Sequence, residues 1–193
     1  TDLFLFYPGS NAIKRLSNDL YDEKDARFSP NGKWVAYTSN KPVNTSPSNE
    51  KNFFNKTFDV FLKNIVTQQE LRVTHTTRTN ERKITWTDDG SFLFLSDTGG
   101  FDHVFIAKLD SAILYVDTIV HYRYFFNVTP ILHTTSKVDD WDMQGKQFVF
   151  LIDHGKKKKQ YTFKQDEIIP TSFKELWTSN VNLLNNEVNK EKI

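Results

Sequence analysis

Short apolar runs alternate with polar, glycine-bearing turns along this chain. Three segments share one pattern: an aromatic residue, three residues, a glycine, then an apolar strand-like run. The first has Phe28, Gly32 and Trp34-Val35-Ala36-Tyr37. The second has Trp86, Gly90 and Phe92-Leu93-Phe94-Leu95. The third has Trp141, Gly145 and Phe148-Val149-Phe150-Leu151-Ile152. The glycines lie 58 and 55 residues apart, which is a repeat. Pro30-Asn31-Gly32, Asp88-Asp89-Gly90 and Gln144-Gly145 are tight-turn chemistry, because glycine supplies a positive φ. Each turn therefore joins two strands of a hairpin.

A third strand follows in each unit: Phe58-Asp59-Val60-Phe61-Leu62-Lys63, Asp102-His103-Val104-Phe105-Ile106-Ala107 and Gln160-Tyr161-Thr162-Phe163-Lys164. A fourth ends in a hydroxyl residue: Leu71-Arg72-Val73-Thr74, Phe126-Asn127-Val128-Thr129 and, in weaker form, Glu175-Leu176-Trp177-Thr178. Thr74 and Thr129 each precede the next anchor tryptophan by 12 residues. The N-terminus joins in mid-unit: Asp2-Leu3-Phe4-Leu5-Phe6 matches a third strand and Lys14-Arg15-Leu16-Ser17 a fourth. Four antiparallel strands per repeat describe a propeller blade. The predicted fold is all-β, with about three and a half blades over residues 1–178 and a polar tail over 179–193.

The run Phe28-Ser29-Pro30-Asn31-Gly32-Lys33-Trp34-Val35-Ala36-Tyr37-Thr38-Ser39, with Arg72-Val73-Thr74, resembles the TolB-type propeller repeat. Asn31 stands where that pattern has Asp, the second unit has Thr87-Asp88 for Ser-Pro, and the third keeps only Trp141, Gly145 and the strand. The resemblance implies a propeller, usually of six or seven blades. It implies a periplasmic or cell-envelope location and a non-catalytic role in protein–protein contact. It also leaves open the propeller portion of a prolyl-oligopeptidase- or tricorn-type peptidase, or a polysaccharide lyase or hydrolase. Three and a half blades fall short of a usual ring. The favoured expectation is a fragment of a longer protein. Self-association that completes a ring, and a small four-bladed ring, are the alternatives. Open edges of an incomplete ring invite strand pairing. The start at Thr1-Asp2 fits a processed or trimmed chain.

Two insertions interrupt the period. Residues 41–56 carry Pro42, Pro47 and several Asn and Ser residues, the composition of a long surface loop. Residues 111–124 are apolar and aromatic, and are expected either to lengthen the strands of the second blade or to cap a face. Rim loops held by rigid sheets are common binding sites. The candidate binding residues are accordingly Asn52, Phe53 and Phe54 in the first insertion and Tyr115, Tyr122 and Tyr124 in the second. Lys157 and Lys158 join them from the basic turn Lys156-Lys157-Lys158-Lys159.

Composition narrows the chemistry. The 193 residues hold 25 Lys+Arg against 24 Asp+Glu, which gives no support to a polyanion binder, so no nucleic-acid partner is expected. Cysteine is absent, which excludes disulfides, thiolate metal sites and cysteine nucleophiles. No apolar run is long enough for a membrane helix, and no membrane insertion is expected. There is no G-x-S-x-G elbow and no phosphate loop. The five histidines show no metal-ligand spacing and read as loop and surface residues. The carboxylates Asp22-Glu23-Asp25, Asp88-Asp89 and Asp139-Asp140-Asp142 recur at places that look equivalent, before or inside the first hairpin, which suggests turn-stabilising acceptors. Trp86 and Trp141 are expected to pack between blades, and Trp34 and Trp177 to be partly exposed. No catalytic residue, metal site or cofactor is predicted.

Overall fold

The structure is a computed structural model and describes residues 1–42, 57–76, 78–134, 136–155 and 157–164. It contains thirteen strands in four antiparallel sheets and a single 3-10 turn at Thr98–Gly100 among the described residues. Strands β1 (Phe4–Tyr7) and β2 (Ala12–Arg15) form a half-blade. Blade 1 has β3 (Glu23–Phe28), β4 (Trp34–Ser39), β5 (Asp59–Asn64) and β6 (Glu70–Arg72), paired in sequence order. Blade 2 has β7 (Glu81–Trp86), β8 (Phe92–Ser96), β9 (His103–Val116) and β10 (Val120–His133), also in order. Blade 3 shows β11 (Lys137–Gln144), β12 (Gln147–Asp153) and β13 (Lys158–Lys164). The segment read as its fourth strand, Glu175–Thr178, and the tail 179–193 lie outside the described residues. The blades are propeller-like, and the sheets do not close into a ring among the described residues.

The side-chain pattern explains the stacking. In a strand, neighbouring residues face opposite sides of the sheet. In β8, Phe92 and Phe94 enter the core shared with blade 1, while Leu93 and Leu95 enter the core shared with blade 3. In β4 and β5, Ala36, Val60 and Leu62 face blade 2, and Val35, Tyr37 and Phe61 face the half-blade with Leu16. A middle strand buried on both faces must read as a continuous apolar run, and these do. Strand β12 buries Phe148, Phe150 and Ile152 on one side only and leaves Val149 exposed on the other. The half-blade likewise exposes Phe4 and Phe6. The half-blade and blade 3 thus each leave apolar side chains exposed on one face.

The innermost strands β3, β7 and β11 share a deformation. Each has a register irregularity two or three residues in, between Lys24 and Arg27, Arg82 and Thr85, and Val138 and Asp140. Asp25 (φ 53°) and Lys83 (φ 58°) hold left-handed backbone there, 58 residues apart. The Lys83 N–H donates to the Asp25 carboxylate at 3.0 Å, so successive bulges are tied across the blade boundary.

Turn chemistry repeats in two blades and changes in the third. Ser29 Oγ donates to Asn31 Oδ1 at 2.9 Å, and the same oxygen accepts Lys33 N–H at 3.0 Å. Thr87 Oγ1 donates to Asp89 Oδ1, which accepts Ser91 N–H at 3.0 Å. Asn31 therefore does the work of Asp. The third hairpin closes with only Gly145 and Lys146 between the paired Gln144 and Gln147. The expected equivalence of the three carboxylate clusters fails at the second. Asp88-Asp89 sits in the turn after β7, whereas Glu23 and Asp25 lie in β3 and Asp139, Asp140 and Asp142 lie in β11.

The fourth-strand hydroxyl is also corrected in blade 2. Thr134, not Thr129, occupies the place of Thr74, because β10 continues to His133. Thr134 Oγ1 bonds the Asp102 carbonyl, and Thr74 Oγ1 accepts Val60 N–H at 2.8 Å.

Candidate functional site: a projecting arm on blade 2

The 111–124 insertion lengthens strands rather than capping a face. β9 and β10 are each 14 residues long, while β8 pairs with β9 only as far as Phe92↔Ala107. From Lys108 to Asn127 the two strands continue as a ribbon paired only to each other, turning at residues 117–119. Asp117 closes that turn by accepting Ile119 N–H at 2.9 Å, and these backbone bonds hold its carboxyl below the usual range. A shift between His121 and Tyr122 leaves Leu114 without a ladder partner, the signature of a bulge near the tip.

Register assigns the faces. Leu109↔Phe126 and Ser111↔Tyr124 share one face, which runs on through Ile113 to Val116↔Val120. Leu109, Ile113, Val116 and Tyr124 on it are each more than half exposed. The opposite face carries Lys108, Asp110 and Phe125, and Tyr115 stacked on His121 with ring centroids 4.1 Å apart. Nine of the eighteen exposed large apolar side chains among the described residues belong to this arm. Such a concentration departs from the scattered single exposures that are the norm.

The apolar face does not stop at the blade. Leu109 and Phe126 also line a groove of about 310 Å³ between blades 1 and 2, with Trp34, Leu62, Leu71 and Phe92. Asp88 and Asp89 stand at its rim. Trp34, expected to be partly exposed, is half-buried there.

A second concavity of about 450 Å³ runs along the inner strands, lined by Arg27, Lys83, Trp86, Asp140, Trp141 and Asp142 among others. Lys83 Nζ pairs with Asp140 at 2.7 Å. That pairing, and a hydrogen bond that the Asp140 carboxylate accepts from Trp141 N–H, hold Asp140 below the usual carboxylate range. The opposed charges largely cancel, so this wall offers aromatic surface with no net sign.

The other candidates are dispersed. Asn52, Phe53 and Phe54 lie outside the described residues. Tyr115 and Tyr124 are exposed on the arm, and Tyr122 pairs with Ile113 in its ladder. Lys157 is in the β12–β13 turn and Lys158 opens β13, where its ammonium pairs with Asp139 at 2.6 Å. The lysines belong to blade 3 and do not join the arm.

The histidine expectation fails at two positions. His103 and His133 are buried, with rings 4.3 Å apart. They face each other across the first rung of β9 and β10. Burial, then the neighbouring His133, pushes His103 down to about 4, and burial lowers His133 too. His103 Nδ1 accepts the Thr134 N–H at 3.3 Å, which requires that nitrogen to be unprotonated. The pair is a neutral packing element. Among the described residues no group of three His, Cys, Asp or Glu is placed to hold a metal ion.

One recurrence was missed in the sequence. Asp2, Arg15, Ser17 and Glu23 return as Asp59, Arg72, Thr74 and Glu81 at intervals of 57 or 58 residues. In both sets Asp pairs with Arg; Ser17 then donates to Glu23 of the next blade, while in the second set Thr76, not Thr74, reaches Glu81. The fixed interval was the available signal.

No family model and no curated protein matches the chain. Solved structures do. A candidate dipeptidyl aminopeptidase IV from Bacteroides ovatus aligns with TM-score 0.49 and 10% identity over 86% of this chain and 29% of its own. The tricorn protease aligns with TM-score 0.42 and 16% identity over 86% of this chain and 20% of its own. TolB from Acinetobacter baumannii aligns with TM-score 0.40 and 16% identity over 86% of this chain and 46% of its own. The chain spans less than half the length of each of the three. The likeness is one of fold.

Proposed function

We propose that the chain is a non-catalytic propeller scaffold that makes protein–protein contacts through the blade 2 arm. The observation that supports this reading is the exposed face that carries Leu109, Ile113, Val116 and Tyr124. Water-exposed apolar surface of this extent gains free energy when covered. The two strands beneath it form a hydrogen-bonded ladder, so a partner meets a preformed surface and little ordering opposes binding. In a solution of the pure protein the available partner is a second copy. The reading places the protein in the cell envelope on the strength of the repeat resemblance.

A photoreactive residue at Ile113 tests it. The expected product is a covalent dimer whose cross-link maps to the arm of the second copy. The same probe at Lys146, on the β11–β12 turn, is expected to give none. Equal yields from both positions, or none at Ile113, contradict the proposal.

A further inference from the structure

The boundary between blades 1 and 2 contains two buried carboxyl groups with unequal surroundings. Asp59, at the start of β5, and Glu81, at the start of β7, are each 2% exposed. Asp59 has a full set of donors. The Arg72 guanidinium reaches it from β6, the Thr74 and Thr76 hydroxyls lie at 3.1 and 2.8 Å, and Thr76 N–H lies at 2.9 Å. Glu81 has hydroxyls only. Thr79 and Ser96 reach its Oε1 at 3.0 and 3.2 Å, and Thr76 Oγ1 is 3.1 Å from both of its oxygens.

Of the other charged groups near the cluster, His75 and Arg78 of the same loop are exposed and two more are engaged elsewhere. Lys24 of β3 places its ammonium 4.0 Å over the Phe58 ring. Asp97, just after β8, accepts the Asn80 N–H at 2.6 Å. Among the described residues no cation pairs with Glu81. Asp59 is therefore the member built to be charged.

Thr76 decides the state of the other. Its hydroxyl has one proton and lies between both carboxyl groups. When it donates to Asp59, its oxygen faces Glu81 Oε2 at 3.1 Å, and that contact is a hydrogen bond only if Glu81 brings the proton. We propose that Glu81 folds as the neutral acid, with Oε2–H donating to Thr76 Oγ1 and Thr76 donating to Asp59, so that one proton locks the seam between blades 1 and 2 and its release to solvent loosens it. Thr79 and Ser96 then donate to Oε1, and every member of the chain is satisfied. Electrostatics agree: burial first, and then the Asp59 charge, push Glu81 up to about 8.

The sign follows from linkage. An unfolded glutamate is deprotonated above about pH 4.3, while the folded chain still holds this proton. The stabilisation is complete at lower pH and is lost as pH rises through the folded value.

Thermal unfolding of the full chain from about pH 6 to about pH 9, for wild type and Glu81→Gln, is the test. The glutamine keeps an N–H donor for Thr76 and cannot ionise. The wild-type midpoint is expected to fall across the window, and that of Glu81→Gln to fall less, with only Glu23 left to titrate, and to exceed wild type at the alkaline end. Parallel curves overturn the proposal. Should the variant not fold, carboxyl-carbon NMR of glutamate-labelled wild type decides. A glutamate titrating at about 8 and shifted down by Asp59→Asn supports the shared proton, and its absence overturns it.

Discussion

The indole nitrogen of Trp141 donates to the backbone carbonyl of Lys83, 58 residues earlier and one blade away, at 3.0 Å. Trp86 does the same to Arg27 across the preceding boundary, at 3.1 Å. The anchor tryptophans of the second and third units are thus both packing blocks and polar latches between inner strands. Trp141 also stacks on Phe148 and Phe150, with ring centroids 6.3 and 5.7 Å away. Trp141→Ala is expected to cost about 3–5 kcal/mol by loss of this packing. Trp141→Phe keeps most of the ring and strands the Lys83 carbonyl, for roughly 1–3 kcal/mol. Urea unfolding of the two variants checks the order.

The Asp59–Arg72 pair is a second latch. Arg72 is only 13% exposed and Asp59 2% at their side chains. Removing one partner leaves a buried charge uncompensated, so Asp59→Ala is expected to destabilise by roughly 3–5 kcal/mol. Asp59→Ala with Arg72→Met should recover part of that loss, since the orphaned cation goes too. A double-mutant cycle by chemical denaturation reads the coupling.

Gly90 has φ +81° in the β7–β8 turn, and a Cβ added there would meet nothing within 4 Å. Any cost of Gly90→Ala is therefore conformational, about 1–2 kcal/mol for a left-handed non-glycine residue. Gly90→Asn should cost less, because asparagine tolerates that region. If both variants unfold at the same urea concentration as wild type, the turn is not held in this conformation.

Two carboxyl groups should move stability in opposite directions with pH. Burial, with Asp19 nearby, raises Glu23 to about 7, so its contribution is full in acid and lost as pH rises through that value. Hydrogen bonds from Thr87 and then the Ser91 backbone lower Asp89, so its contribution is present above the usual carboxylate range and lost as pH falls below it. Glu23→Gln should flatten the neutral limb of a stability–pH curve, and Asp89→Asn the acid limb.

Much of this fold is legible in the residues. Glycines with turn chemistry mark the hairpins. Strands buried on both faces, such as Phe92-Leu93-Phe94-Leu95, are plainly apolar. What escaped notice depends on contacts across blades. The buried His103–His133 pair looks polar in sequence, and only pairing across β9 and β10 places the rings together. Twelve-residue spacing picks out Thr129 instead of Thr134 and fails once β10 lengthens. The arm's residues drew attention by their apolarity, but its exposure follows from β8 ending while β9 continues. Local sequence does not state where a neighbouring strand stops.

The arm carries the functional account. Ile113→Ser with Val116→Ser removes two apolar side chains that are each more than half exposed, so stability should change by no more than about 0.5 kcal/mol. Light scattering of wild type and this variant across a concentration series is the most direct measurement. The account predicts a wild-type mass that rises with concentration and a variant that stays at the mass of one chain. Wild type and variant of equal mass at every concentration would contradict it.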